Sequence, residues 1–410
     1  MPGLIDLHAH PTLKMYYLPH IWSFRTTVPN GGFRNPFSFR TAYPHLCKGN
    51  VKVMLCTHYI LERGFMRFGV RPWARVAQMI AWPIWYVPRI TEDPWKTLIA
   101  NMDLLEEQIE YVNKTLKPGE KRLRLVTAAD QIDALADDEI GLVHTIEGAH
   151  VFGEAPDPGQ TLDEYMERTR ERLAILQSRG LALITLAHFW DNMFAPQTDG
   201  TELVPTKKRG RIVPVMDDLV VRMKRGSWRW DDPEHLCEPF ARELLDRGIL
   251  IDLAHTQEHA RQEVYRLCDE YRRPVTMTHV GLQHFFPHEY NASDDEIRTI
   301  HRLGGVLGLI FSMRLLQHPV KLQGYVGGGL EFLAENVRYV KDLVGDVSCL
   351  GIGTDFDGLT DPFKDCYDSG MMGAVGETLS KYFTDDEVEQ VLYGNALRLL
   401  KQGWGAPTSV

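Results

Sequence analysis

The first apolar run of the chain, Gly3-Leu-Ile-Asp-Leu-His-Ala-His10, ends in two histidines one residue apart. In a strand, residues i and i+2 share a face, so His8 and His10 aim at one point just past the strand end. Imidazole is a common ligand of zinc-like ions. A His-x-His pair by itself fits a packed core as well as a metal, but the arrangement recurs. Further apolar runs end at Glu147, His188, His255, His279 and Asp355. Any one of these reads more naturally as a satisfied core residue or strand-end cap than as a ligand. Packing does not explain the repetition. Buried polar groups cost free energy without partners, and a shared metal cluster would supply them. Four histidines and one glutamate exceed the three protein ligands of one catalytic zinc, whereas two metals sharing Glu147 would use them all.

Elements that could position these groups follow from the pattern between them. Strand patterns run over Leu4–His8, Val51–Thr57, Leu142–Glu147, Leu181–Ala187, Ile249–Ala254, Val275–His279, Gly305–Phe311 and Cys349–Thr354. Helical patterns lie between most of them: Trp95–Leu116, Leu162–Arg179, Pro239–Arg247, Gln257–Tyr271, Asp294–Leu303 and Leu330–Val344. Strands alternating with helices predict a parallel sheet, and eight of them predict an α/β (β/α)8 TIM barrel, whose site lies at the C-terminal strand ends. The apolar piece Leu123–Thr127 ends in no site residue and is placed outside the ring. One domain over residues 1–410 is expected, with long loop insertions at about 11–50, 58–94 and 189–236. The stretch with Trp73, Trp82, Trp85 and Tyr86 reads as packing or a homodimer contact rather than a substrate lid. The basic patch Lys207-Lys-Arg-Gly-Arg211 reads as surface or interface.

A net charge of −10 gives no electrostatic case for nucleic acid or an anionic membrane as partner. The six cysteines form no C-x-x-C pair, and strand positions such as Cys56 and Cys349 read as buried thiols suited to a reducing compartment. No apolar run approaches the roughly 20 residues of a bilayer span. The first strand begins almost at once, leaving no room for a signal peptide, so a cytoplasmic protein is expected.

These motifs resemble the membrane dipeptidase (renal dipeptidase-like) family of zinc peptidases, a branch of the amidohydrolase superfamily. The matching segments are Ile5-Asp-Leu-His-Ala-His10, Ile146-Glu-Gly-Ala-His150, Leu183-Ile-Thr-Leu-Ala-His188, Gly248-Ile-Leu-Ile-Asp-Leu-Ala-His255, Thr278-His279, Gly353-Thr-Asp-Phe-Asp-Gly358 and Gly394-Asn395. The resemblance implies a barrel with two zinc ions and a dipeptide-like small-molecule substrate. His8 and His10 would hold one ion, His255 and His279 the other, and Glu147 would bridge them. His188 would touch substrate, donating a hydrogen bond to the oxyanion, and Asp355 would carry the proton to the leaving amine. Asp357 is the rival proton carrier on the same extended segment. His144, three residues before Glu147, would face away from the site, and His150, His259, His284 and His288 would lie around it or on the surface.

Two departures from the family stand out. The first strand carries His-x-His where the family has His-x-Asp, which makes the site one charge more positive. Tyr290-Asn291 stands where the family has Arg-Asn, whose arginine meets the substrate carboxylate. Tyr290 is therefore the expected substrate-side residue, and Arg314 is a candidate replacement clamp that reads more naturally as a surface arginine. Cleavage of another small amide, an ester or a lactone is the alternative to dipeptidase activity. A metal-binding protein without turnover is the third reading.

Overall fold

The computed structural model describes residues 3–17, 23–26, 38–62, 93–153, 155–198, 229–316, 328–358 and 362–405. The tryptophan-rich stretch and the basic patch named above lie outside the described residues, as does the side chain of Arg314. The described residues form nine strands: β1 (Leu4–Ala9), β2 (Val51–Tyr59), β3 (Arg122–Val126), β4 (Glu139–Glu147), β5 (Leu183–Thr185), β6 (Leu250–Asp252), β7 (Thr276–Val280), β8 (Val306–Ile310) and β9 (Leu350–Gly353). Every pairing between neighbours is parallel. The order is β2-β1-β9-β8-β7-β6-β5-β4-β3, and a β2–β4 pairing closes the sheet. β3 pairs only with β4, so it hangs outside a closed ring made of the other strands, as its sequence suggested. This is the (β/α)8 barrel expected.

The helices that cover the ring are α1 (Pro94–Lys114), α2 (Leu162–Ser178), α3 (Cys237–Arg247), α4 (Glu258–Tyr271), α5 (Asp294–Arg302) and α6 (Gly329–Val344), with α7 (Asn395–Gly403) near the C-terminus. Local chemistry fixes their starts. Thr161 with Glu164, and Ser293 with Glu296, form capping boxes at α2 and α5. Pro94 opens α1 after an Asp93 cap. Among the described residues no helix is long and apolar enough to cross a membrane.

Two apolar clusters divide the barrel. One joins the outer faces of the strands to the helices, with Leu4, Ala9, Met277 and Val280 packed against residues such as Leu173, Val264 and Val337. The other fills the ring with Ile5, Leu7, Val53, Leu55 and Val143, and is closed by Leu399, Leu400 and Trp404. Simple alternation does not survive along β1. Leu4 faces out, Ile5 and Leu7 face in, and Ala9 faces out again. β1 has a register shift between Leu4 and Ile5; the phase changes at its other shift, between Asp6 and Ala9, and β7 has one between Met277 and Val280. Such irregularities re-aim side chains next to active sites. Here the last two sit where His8, Thr278 and His279 leave the ladder.

A fully buried ion pair braces the loops that follow β6 and β7. Arg261 on α4 meets Glu296 on α5 with Nε–Oε1 at 2.6 Å and Nη2–Oε2 at 3.1 Å. The same guanidinium donates to the carbonyls of Thr256 and Glu289. Removing one partner strands a buried charge, which costs roughly 3–5 kcal/mol. Arg261→Met is therefore expected to lower unfolding stability by about that amount in urea titration. A loss below about 1 kcal/mol would show that the pair does not brace these loops.

Candidate metal centre

The C-terminal mouth of the ring gathers the predicted residues. Glu147, the last residue of β4, stands in the middle. Its Oε1 lies 3.4 Å from His8 Nε2, 3.5 Å from His255 Nε2 and 3.3 Å from His279 Nε2. Its Oε2 lies 3.5 Å from His10 Nε2 and 3.6 Å from His188 Nε2. His8 and His10 approach through their Nε2 atoms at 3.1 Å, as do His255 and His279. Asp355 Oδ1 sits 3.1 Å from His10 Nε2. All of these groups are buried.

The rival aspartate is elsewhere. Asp357 pairs with Lys14 Nζ at 2.7 Å and accepts from Arg40 N, Thr41 N and Thr41 Oγ1. It anchors the 38–41 segment, away from the imidazoles. The turn that carries both aspartates closes on Gly358, where a Cβ would meet Asp355 Oδ1 at 1.9 Å. His255 and Asp355 themselves take left-handed backbone, with φ of 62° and 54°. That conformation costs a non-glycine residue about 1–3 kcal/mol and is held by surrounding structure. Asp355 N donates to His8 O, and Thr198 N donates to His255 O.

Buried carboxylates and one hydroxyl set the imidazoles. Asp6 accepts from His8 N, Thr354 N and Thr354 Oγ1, tying β1 to the turn that carries Asp355. Asp252 accepts from Thr185 Oγ1, Thr278 Oγ1, Thr278 N and Ala254 N. The Thr278 hydroxyl gives its proton to Asp252 at 2.7 Å. His8 Nδ1 and His279 Nδ1 both lie 2.9 Å from the same oxygen. A hydroxyl has one proton, so both rings must donate Nδ1–H to it. Their Nε2 lone pairs are thereby turned into the site.

Electrostatics favour neutral His8, His188 and His255 around ionised carboxylates, whereas burial of His10 and His279 is outweighed by their hydrogen bonds to Asp355 and Glu147, which raise both imidazoles. Burial pushes His8, His188 and His255 down to about 4. Burial alone would lift Glu147 and Asp355, but the imidazoles around them outweigh it and hold both carboxyls below their usual range. For Asp355 the His10 hydrogen bond contributes most to that lowering.

The donor set fits divalent cations. Three overlapping groups of ligand atoms lie within 4.8 Å of one another: His8, His10 and Asp355; His8, Glu147 and His279; Glu147, His188 and His255. Donors held about 2.0–2.1 Å from one tetrahedral ion lie about 3.3–3.4 Å apart. The separations above span 3.1–3.6 Å. Lone pairs and carboxylate oxygens this close repel unless positive charge lies among them. His10 Nδ1 has no hydrogen-bond partner among the described residues, so the ring is directed by its Nε2 contacts.

Other histidines divide by environment. His144 faces the helix layer, bonded to His58 at 2.8 Å and Glu106 at 3.3 Å. His150 holds Ile60 O at 2.7 Å beside the mouth. Tyr290 lies beneath the site. Its hydroxyl donates to His279 O, and its ring packs edge-on against His255, centroids 4.9 Å apart. Reading by strand ends overlooked Asp6, Asp252, Thr278 and Glu62. Asp6 and Asp252 interrupt apolar runs, which is a usable signal for a partnered carboxylate. Thr278 lies in a motif but carried no assignment. Glu62 lies beyond its strand and gives no sequence signal.

The fold and this site define a metal-dependent hydrolase of the (β/α)8 barrel class. Residues 238–404 match the model of the membrane dipeptidase family, peptidase family M19, so the resemblance carried by the motifs is borne out. An uncharacterized Klebsiella pneumoniae protein from the pqqA 5′ region is 21% identical over 307 residues, 74% of this chain and 97% of its own. Human Dipeptidase 3 is 25% identical over 167 residues, 40% of this chain and only 32% of its own length. The metallopeptidase of Rhodobacter sphaeroides, solved with a phosphinate mimic of L-Ala-D-Ala, superposes with a TM-score of 0.66 at 17% identity over 98% of this chain and 99% of its own. The M19 dipeptidase AC gives the same values.

Partners that orient a ligating histidine are typically worth 10–100-fold in metal affinity. Thr278→Val keeps shape but removes the acceptor shared by His8 and His279. Zinc affinity measured by chelator competition is expected to fall by about that factor, and Thr278→Ser to retain it. Equal affinity in the valine variant would refute the tautomer assignment.

Proposed function

We propose that this protein is a dipeptidase-like peptidase that uses two divalent ions, zinc in preference, to hydrolyse an amide bond of a small substrate. The observation that carries this reading is the convergence of His8, His10, His255 and His279 on the two oxygens of Glu147, with Asp355 at the edge of the cluster. His8 and His10 would hold one ion and His255 and His279 the other, with Glu147 between. Ions so held polarise a carbonyl and lower the pKa of water.

The remaining steps belong to the chain. Asp355, kept ionised by its neighbours, takes the proton of the attacking water and returns it to the leaving nitrogen. Its left-handed turn, pinned to β1 through His8 O, fixes the carboxylate beside His10. His188 contacts the substrate from the end of β5. The burial of every one of these groups excludes bulk water and strengthens each interaction. The Rhodobacter neighbour's dipeptide mimic supports a dipeptide-like substrate.

Tyr290 favours a second reading. The arginine expected there by family resemblance could clamp a carboxylate through two charge-assisted hydrogen bonds. The tyrosine hydroxyl is committed to His279 O instead. A substrate with a neutral group at that end, such as another amide, an ester or a lactone, then loses nothing.

Two measurements test these readings. Elemental analysis is expected to find about two ions per chain. Glu147→Gln is expected to lose at least one, while Asp355→Asn keeps both and lowers kcat by roughly two to four powers of ten. Full metal and full activity in Glu147→Gln would remove the bridging role. For specificity, kcat/KM is compared for a dipeptide and its C-terminal amide, in wild type and Tyr290→Arg. The wild type is expected to favour the amide, and the variant to shift toward the free acid. Strong wild-type preference for the acid would place the clamp elsewhere.

A further inference from the structure

The chain past β2 carries a buried carboxylate with no part in the scheme above. Glu62 is 2% exposed and takes a hydrogen bond from four directions. Phe189 N and Trp190 N both donate to its Oε1 at 3.0 Å. Tyr59 OH donates to its Oε2 at 3.1 Å, and His188 Nδ1 lies 3.3 Å from the same Oε2. His150 holds the neighbouring Ile60 carbonyl, so the backbone leading to Glu62 is fixed as well. The carboxylate therefore joins the end of β2 to the loop after β5, and its last bond is to the imidazole that faces the substrate.

We propose that Glu62 is the positioning residue of His188, holding the ring with Nδ1–H on the carboxylate and the Nε2 lone pair toward the site. An ionised carboxylate only accepts, so the ring nitrogen facing it carries the proton. In the neutral ring the other nitrogen, 3.6 Å from Glu147 Oε2, is then an acceptor. His188 so held takes a hydrogen bond from an N–H or O–H of the substrate. The oxyanion-donor role expected from sequence needs a proton on Nε2, and Glu62 selects the opposite tautomer. This deepens the hydrolase reading and rests on it for the identity of the substrate, while the tautomer stands on the contacts of Glu62 with that carboxylate ionised.

Glu62→Gln makes the inference testable. The two backbone N–H groups at Oε1 require an oxygen there, so the amide NH2 must occupy the Oε2 position. It then donates to His188 Nδ1 and forces the proton to Nε2. Imidazole 15N NMR of the zinc-loaded full chain at pH 8, above the value of about 7 to which burial lifts Glu62, reads this directly. The His188 signals are assigned by their loss in His188→Asn. The expected result is a protonated Nδ1 in wild type and a protonated Nε2 in Glu62→Gln, with equal zinc content. A wild type protonated at Nε2, or a variant with the wild-type tautomer, would overturn the proposal. With Ala-Ala as substrate, KM is expected to rise about tenfold in Glu62→Gln, the usual worth of one hydrogen bond, and an unchanged KM would remove the acceptor role. Should wild type fail to cleave Ala-Ala, the dipeptidase reading falls while the wild-type tautomer still decides the positioning role of Glu62.

Discussion

The site depends on one hydroxyl. Thr278 Oγ1 donates to Asp252 and accepts from the Nδ1–H groups of His8 and His279, which come from strands on opposite sides of β9. One proton and two lone pairs are all that such a group has, and all three are used. The consequence is chemical as well as structural. Two imidazoles that could each exist as either tautomer are restricted to the form whose free nitrogen meets Glu147. A serine could supply the same hydroxyl, but valine, of the same shape, could not.

The same logic repeats around the mouth. Asp6, Asp252, Glu62 and Asp357 are buried carboxylates, each surrounded by backbone N–H, hydroxyl, imidazole or ammonium donors. Burying charge is expensive unless every oxygen is met, and here several short elements are tied together by meeting them. Asp6 ties β1 to the Asp355 turn, Asp252 ties β6 to β5 and β7, Glu62 ties β2 to the β5 loop, and Asp357 ties the β1 loop to β9. The barrel supplies the rigid ring, and these carboxylates fix loops that would otherwise be free to place the left-handed His255 and Asp355 differently.

Tyr290 is built into the floor of the site. Its ring supports His255 and its hydroxyl is committed to the carbonyl of His279, so it acts on the site from beneath. The adjoining Asn291 holds the same loop by accepting from Gly281 N and donating to Leu315 O. The loop is therefore built firmly, with an aromatic wedge where family resemblance places a cation.

Much of this was legible in the residues themselves. Alternating strand and helix patterns specify a parallel barrel because period and length discriminate the two elements. Ligand types at strand ends mark the mouth because a barrel gathers those ends at one face. The outward placement of His144 follows from parity along β4, which is regular there. Parity along β1 and β7 misleads. Register shifts within those strands change which side chains face the centre, and they are set by pairing with neighbours distant in sequence. Tautomers, the ion pair that commits Asp357 to Lys14, and the partners of Glu62 were likewise beyond the sequence. Each depends on donors that meet only when remote segments fold together, Glu62 with residues 127 and 128 positions away and Asp357 with Lys14 across 343. Residue type and spacing determined which chemistry was present. Only the closed ring decided which imidazole nitrogens meet Glu147 and which aspartate lies beside His10.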